Sequence, residues 1–457
     1  MKWIFLFFPT LLFADSLNTF ITLALENNPE LIIEKYQLNK QEVSLKKAKK
    51  AEFYPEISLS LTTSLSKETV ELKDEEGKEY KQTTKTKEKP TLEAITGISR
   101  PHPLGGKLKL NLKLSDVIDE KDKEKGELSI ESEEPISLYQ RKVIKEPLLD
   151  EKEDLLLSEI SLNKKIEETI YNVISSYCEL QRLSSSIIVK ENEFNDLMGT
   201  LEIAKAKLEK GIIPELDLFQ ISLQLKSSEI ELSGLRRERE EKEIRFLQLL
   251  GIKELGERIE KENWEKRIER LKGLKIMEDN LEIKIKEIEI ERLKRGLKEA
   301  KSKNSPIFIP SWTIIKEKER KEEKIGLSLK FYLYDKGIKK EEIKIQEASL
   351  KQEEISLQSL VSDIKIEISE RENGIKDKEK RILVLKENIQ LAEKIYEITK
   401  IKQERGLIFS KEMLEAEQDV TKQKNELINQ EIGLFLDYIE LKKLKGGLYN
   451  AYQENLF

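Results

Sequence analysis

Two hydrophobic periods alternate along this chain. From Ser16 to Ala51 apolar residues recur every three or four positions. Leu17, Phe20, Ile21, Ala24 and Leu25 make one stripe, Asn27-Asn28-Pro29 breaks it, and Leu31, Tyr36, Leu38, Val43 and Leu45 resume it, which predicts helix on both sides of the break. After Pro55 the period drops to two: Ile57, Leu59, Leu61, Thr63 and Leu65 alternate with Ser58, Ser60, Thr62, Ser64 and Ser66, the signature of a half-buried strand. Glu68 to Lys89 is charged throughout and reads as a solvated loop. A second alternation places Leu108, Leu110, Leu112 and Leu114 opposite Lys107, Lys109, Asn111 and Lys113, and Leu128, Ile130, Ile136 and Leu138 offer one or two further short strands near Pro135.

The period then lengthens again. Ile166, Ile170, Val173, Tyr177, Leu180, Ile187, Phe194, Leu201, Ala204 and Leu208 predict one helix from about Pro147 to Lys210, stopped by Gly211-Ile212-Ile213-Pro214. A returning helix runs from Pro214 to Leu250 and ends at Gly251. The second half repeats the plan with a helix over Leu271–Ala300, punctuation at Pro306 and Pro310, and a strand opened by Ile307, Ile309 and Trp312. A charged turn from Lys316 to Lys324 follows, then a partner strand with Ile325, Leu327, Leu329, Phe331 and Leu333, and two more helices separated at Gly406. The tips coincide: Asp217, Leu218 and Phe219 stand six, seven and eight positions after Gly211, and Glu412, Met413 and Leu414 stand at the same offsets after Gly406. The chain is therefore read as two tandem units, 15–255 and 256–457, each running helix, strands, long helix, tip and returning helix.

Composition narrows the chemistry. Among 457 residues there are one His and one Cys, so a disulfide framework, a Cys/His metal site and a His-centred triad are all excluded. The 82 basic and 88 acidic residues are interspersed, which suits solvated helices laced by ion pairs and argues against nucleic acid as a partner. Lys2, the apolar run Trp3–Phe13 and Ala14 read as a secretory signal peptide over residues 1–14, and no later stretch is apolar for the roughly 18 residues of a transmembrane helix. A mature chain of this kind meets a membrane only through strands closed into a barrel.

These features resemble the TolC-like outer membrane efflux proteins over essentially the whole mature chain. The resemblance rests on Asn28-Pro29-Glu30-Leu31, on Ala51 with Pro55 before the first strand, on the tips Gly211–Phe219 and Gly406–Leu414, and on Phe331–Gly337. Asn280-Leu281 lacks the proline of Asn28-Pro29, and Ala94–Ile130 looks like a hairpin beyond two strands per repeat. The resemblance implies a membrane α+β fold: a homotrimer sharing one outer-membrane β-barrel, continued by a long periplasmic α-helical barrel. It implies a passive exit duct, with no enzymatic activity and no cofactor, served by a periplasmic adaptor protein and an inner-membrane pump. A periplasmic coiled-coil adaptor or scaffold without a barrel is the rival reading; it accounts for the helices and leaves the strands unexplained.

Candidate sites follow from the same source. Glu412 and Glu415 correspond to the acidic residues that narrow the family's periplasmic entrance, so three copies would ring it with six carboxylates; otherwise they merely favour the helix dipole. Gly211, Asp217, Leu218, Gly406, Met413 and Leu414 form the expected tip and adaptor contacts. Gly105-Gly106-Lys107 lacks the spacing of a phosphate loop, His102 reads as a turn residue, and Cys178 reads as a small core residue.

Overall fold

A computed structural model describes residues 16–72, 83–101, 107–117, 125–135, 146–211, 213–254, 262–272, 280–302, 306–317, 320–330, 336–405 and 410–454. The signal segment 1–14, His102, the Gly105-Gly106 pair, Ile136 and Leu138, Phe331–Asp335 and Gly406 lie outside the described residues. The helices are α1 (Ser16–Asn27), α2 (Pro29–Phe53), α3 (Glu146–Glu209), α4 (Glu215–Leu250), α5 (Trp264–Lys272), α6 (Leu281–Ser302), α7 (Ile338–Glu404), α8 (Ser410–Leu444) and α9 (Leu448–Gln453). The strands are β1 (Glu56–Leu72), β2 (Thr83–Pro101), β3 (Lys107–Val117), β4 (Lys125–Pro135), β5 (Ile307–Glu317) and β6 (Lys321–Lys330). No helix among the described residues is long and apolar enough to cross a membrane. The chain divides into two compact units, one of Met1–Gln37, Glu159–Ile285 and Gln358–Phe457, the other of Leu38–Ser158 and Lys286–Leu357. Each unit draws on both halves of the sequence.

The long helices match their apolar spacing. α3 has 64 residues and α4 has 36; α7 has 67 and α8 has 35. At 1.5 Å per residue the longer member of each pair extends about 95–100 Å. Gly211 stops α3 at φ 69°, and its N–H donates to the Leu208 carbonyl at 2.8 Å. Pro214 is not the first residue of α4 but its N-cap, extended at φ −71° and ψ 153°.

In the first unit the core is aromatic at its centre. Phe20 of α1 lies 5.9 Å from Tyr177 of α3 and 5.3 Å, edge-on, from Phe246 of α4; Trp264 of α5 lies 6.4 Å from Tyr177 and 5.2 Å from Phe435 of α8. Each such pair contributes about 0.5–1.5 kcal/mol beyond its burial. Cys178 is fully buried beside this cluster, and burial pushes its thiol up, as suits a small core residue and not a reactive one. The Tyr177 hydroxyl donates to Glu262 Oε1 at 2.9 Å, and buried Arg267 closes the same carboxylate with Nε at 3.0 Å from Oε2.

Two asparagines fasten this unit in equivalent ways. Asn28 Oδ1 accepts from the Leu31 N–H at 3.1 Å, capping α2 where Pro29 has no N–H to satisfy, and its Nδ2 donates to the Leu249 carbonyl of α4 at 2.8 Å. Asn280 Oδ1 accepts from Glu282 N at 2.8 Å and Ile283 N at 3.2 Å, and its Nδ2 donates to the Leu444 carbonyl of α8 at 2.8 Å. Each side chain thus satisfies an orphan donor at one helix start and an orphan acceptor at another helix end.

The second unit holds one antiparallel sheet in sequence order, β1-β2-β3-β4-β5-β6. Several expectations are corrected here. Of the loop expected over Glu68–Lys89, residues 68–72 and 83–89 are strand, because β1 and β2 pair from Glu56↔Ser99 to Leu72↔Thr83; residues 73–82 lie outside the described residues. The charged turn expected over Lys316–Lys324 is likewise strand from Lys321 onward, with Lys316 paired to Lys321. Pro310 lies inside β5 instead of punctuating it. The β4–β5 ladder passes from Glu131↔Ser311 to Glu134↔Phe308, and the interruption falls where Pro310 has no N–H to donate. The single helix expected over Leu271–Ala300 is two, α5 and α6, with the cap at Asn280 between them. Four strands precede α3 and two follow α6, so the hairpin expected between Ala94 and Ile130 is a full part of the sheet.

Replacing Asn28 with Ala leaves the Leu249 carbonyl and the Leu31 N–H unpaired and should cost about 1–3 kcal/mol, read as a lower denaturant midpoint, whereas Asn28→Asp should keep the cap and lose only the donor. Lys442 of α8 is buried, and burial lowers its ammonium from 10.5 to about 8, with Glu454 offsetting part of the cost. The unfolded chain binds this proton more tightly, so stability should rise as pH climbs from about 8 to 10.5 and stay flat below. Lys442→Met should raise stability at pH 7 by about 1–3 kcal/mol and abolish that rise, measured by unfolding at pH 7 and pH 10.

Candidate functional site: the sheet faces and the helical tips

Cross-strand partners share a face, so the register sorts the whole sheet into two sides. Ile57 pairs with Ile98, Ile98 with Leu110, Leu110 with Ile130, Ile130 with Trp312 and Trp312 with Ile325. Leu61, Ala94, Leu114, Leu112, Leu128 and Ile314 fall on this same side, as do Phe308, Leu327 and Leu329. The central rows of this face are apolar across all six strands, with Arg100, Ser132, Lys316 and Glu323 toward its ends, and its side chains are bare: Leu59 is 68 % exposed, Ile325 88 % and Leu327 69 %. A contiguous apolar patch of this extent marks a surface meant for lipid or another protein. The opposite face carries Ser58, Ser60, Glu93, Lys109, Asn111, Lys113, Glu127, Ser129, Glu131, Ser311 and Ser328, with Lys113 Nζ 3.0 Å from Glu93. Gly97 is closely approached on this side: a Cβ would stand 3.0 Å from Asn111 Oδ1 and 3.1 Å from Ser58 Oγ, so those side chains would have to shift to admit one. β1 and β6 are the edges of the sheet, each hydrogen-bonded on one side only.

The tips belong to the helical unit. In the first, Asp217 is exposed and Leu218 half-buried in the opening turns of α4, where Glu215 and Asp217 face the helix N-terminus. Leu216 and Phe219 are 64 % and 60 % exposed, and with Leu223 they form an apolar stripe at three- and four-residue steps. These bare side chains, not Leu218, are the apolar surface of this tip, and period alone could not tell which stripe lacks a partner. In the second, Glu412 and Glu415 are exposed on one face of the first turns of α8, Met413 is half-buried, and Leu414 lies in the same helix.

The helical hairpins are tied by charge. Arg236 reaches Glu191 at 2.7 Å and Lys242 reaches Glu179 at 2.7 Å between α3 and α4; Lys190 also pairs with Glu231, which holds that carboxyl below its usual range. Lys424–Glu393 at 2.8 Å and Lys378–Asp437 at 2.6 Å join α7 to α8. Toward the tips α3 and α8 meet through a polar seam: Gln418 Nε2 donates to Asp196 Oδ2 at 3.3 Å beside a cavity of about 200 Å³ bordered by Asn192, Glu417 and Thr421. A further apolar row on α7, Val384, Leu391, Ile395 and Ile398, is uncovered in one chain. No group of residues suited to a metal ion occurs among the described residues.

The arrangement of this sheet and these long helices is similar as a whole to that of solved outer-membrane channels. The chain superposes on the outer-membrane channel OprN with a TM-score of 0.68 at 13% identity, covering 95% of this chain and 90% of that one. The Campylobacter jejuni CmeC outer membrane channel gives 0.68 at 13%, covering 96% and 88%. The outer membrane protein VceC of Vibrio cholerae gives 0.65 at 15%, covering 95% and 97%. The chain has the TolC-like outer-membrane channel fold. No family sequence model matches it, and no curated protein is similar to it in sequence. The likeness therefore resides in the arrangement of elements that this fold shares, while nearly nine residues in ten differ from those of VceC.

At the first tip of this channel fold, Gly211 sits at φ 69° with open space around the position of a Cβ, so backbone conformation alone demands glycine there. Gly211→Val should strain the turn by about 1–2 kcal/mol, raising amide exchange over Leu208–Asp217, whereas Gly211→Asn should be tolerated. Equal exchange in both variants would remove the turn from the list of constrained positions.

Proposed function

We propose that this protein is the outer-membrane channel of a tripartite efflux or type I secretion system, a passive exit duct working as a homotrimer. The observation that carries this reading is the six-stranded sheet whose apolar face is continuous and whose two edges are unpaired. Such a sheet is stable in lipid only when other copies complete a closed barrel. The helices, with their charged flanks and uncovered apolar rows, serve as the periplasmic tunnel, and neighbouring copies cover the row Val384–Ile398. A coiled-coil adaptor without a barrel would have no use for the sheet. We read residues 15–255 and 256–457 as tandem repeats, and the tips near Gly211 and Gly406 as the periplasmic end.

In this reading Asp217, Leu218, Met413 and Leu414, with the bare Leu216 and Phe219, meet the periplasmic adaptor, and an inner-membrane pump supplies the energy. Glu412 and Glu415 ring the periplasmic entrance. In this reading the chain itself does no covalent chemistry and needs no cofactor. Detergent-solubilised protein should run as a trimer by light scattering, and a monodisperse, detergent-free monomer with full helix content would refute the channel. In planar bilayers Glu412→Gln with Glu415→Gln should abolish cation preference and periplasmic block by trivalent cations. Screening confines the field to about 8–10 Å, so unchanged selectivity would move the constriction elsewhere.

A further inference from the structure

The hairpin that the first half adds to the sheet has the same two faces as its neighbours. Leu110 of β3 stands in register with Ile98 and Ile130, Leu112 with Leu128 and Leu114 with Ala94, so the apolar band passes through the middle of the hairpin, while Leu108 at its end faces Arg100 and Ser132. Were this hairpin a solvated projection, four leucines in alternation would be exposed to water for no gain, about 1.5–3 kcal/mol each. β4 pairs directly with β5, so the added strands lie inside the wall, between strands of the first and second halves. The number of strands is even and every neighbour is antiparallel, so β6 of one copy and β1 of the next also run antiparallel when edges meet.

We propose that three copies close a barrel of eighteen strands, six from each chain, with a lumen wide enough for bulky hydrophilic cargo, so that the helical tips alone set the size limit. This rests on the channel reading above. Strands about 4.8 Å apart and tilted about 40° give a backbone diameter of about 36 Å for eighteen strands and about 24 Å for twelve. Lining side chains extend about 5 Å inward, leaving openings of about 26 Å and about 14 Å. Barrels of sixteen to eighteen strands enclose aqueous channels, whereas eight-stranded ones fill with side chains. The lumen side is suited to water: Lys109 stands in register with Glu131 and Lys113 with Glu127, and the Lys113–Glu93 ion pair balances charge across β2 and β3. The wall is therefore hydrated and nearly neutral, without a single-sign field to hold cargo back.

Single-particle electron microscopy of the detergent-purified full chain tests the strand count. Eighteen strands, with β3 and β4 in the wall of each protomer, is the expected result. A trimer with a twelve-stranded wall and a hairpin folded away would overturn the proposal while leaving the channel reading intact; a monomer without a barrel would sink both. A second measurement needs no image. A neutral polyethylene glycol about 20 Å across, added on the extracellular side of a planar bilayer, should lower the conductance of the natural protein because it enters the barrel. It should leave unchanged the conductance of a variant lacking residues 83–117, whose wall keeps four strands per chain. Exclusion from the natural protein would overturn the wide lumen even if the deletion variant fails to fold.

Discussion

An unpaired strand edge cannot face hydrocarbon, and this constraint governs the molecule. Each backbone N–H or C=O left without a partner in lipid costs several kcal/mol, and β1 and β6 each present a row of them. The apolar face pulls the sheet toward lipid while its edges forbid it to go alone. In the channel reading, association with further copies resolves the conflict by pairing backbone with backbone, which needs no particular side chain. That explains how the fold persists across solved channels with 13–15% identity to this chain: alternation and edge pairing are properties of pattern, not of residue identity.

The helical unit answers a different requirement. Its centre is held by interlocked aromatics and by two asparagines that each join a helix start to a helix end. Away from this centre the helices are joined by ion pairs worth little individually and by the polar Asp196–Gln418 seam. Cohesion is thus concentrated around Phe20, Tyr177 and Trp264, and the long hairpins extend from it with narrow apolar seams. Rows such as Val384, Leu391, Ile395 and Ile398 remain uncovered in the single chain.

Much of this was legible in the sequence. The three- and four-residue steps from Ile166 to Leu208, the strand alternations at Ile57–Ser66 and Lys107–Leu114, the break at Asn28-Pro29 and the turn at Gly211 all appear where their local chemistry requires them. Local pattern failed where one signal overrode another. Charge disguised the ends of β1, β2 and β6 as loop, because a strand rich in Lys and Glu offers no apolar alternation to read, while backbone pairing needs none. Pro310 looked like a terminator but occupies a ladder position that donates no hydrogen bond.

What the sequence by itself determined was the set of elements and the side of each that is apolar, because period depends only on nearest neighbours along the chain. Tertiary structure alone decided which apolar sides stay bare: Leu216 and Phe219 look no different from Phe246 in a helical stripe, yet the first two are exposed and the last is fully buried. It also decided that Asn28 and Asn280 act alike, since their partners Leu249 and Leu444 lie far off in the chain. It decided, finally, that the added strands continue one sheet, because register is a relation between distant segments and only pairing fixes it.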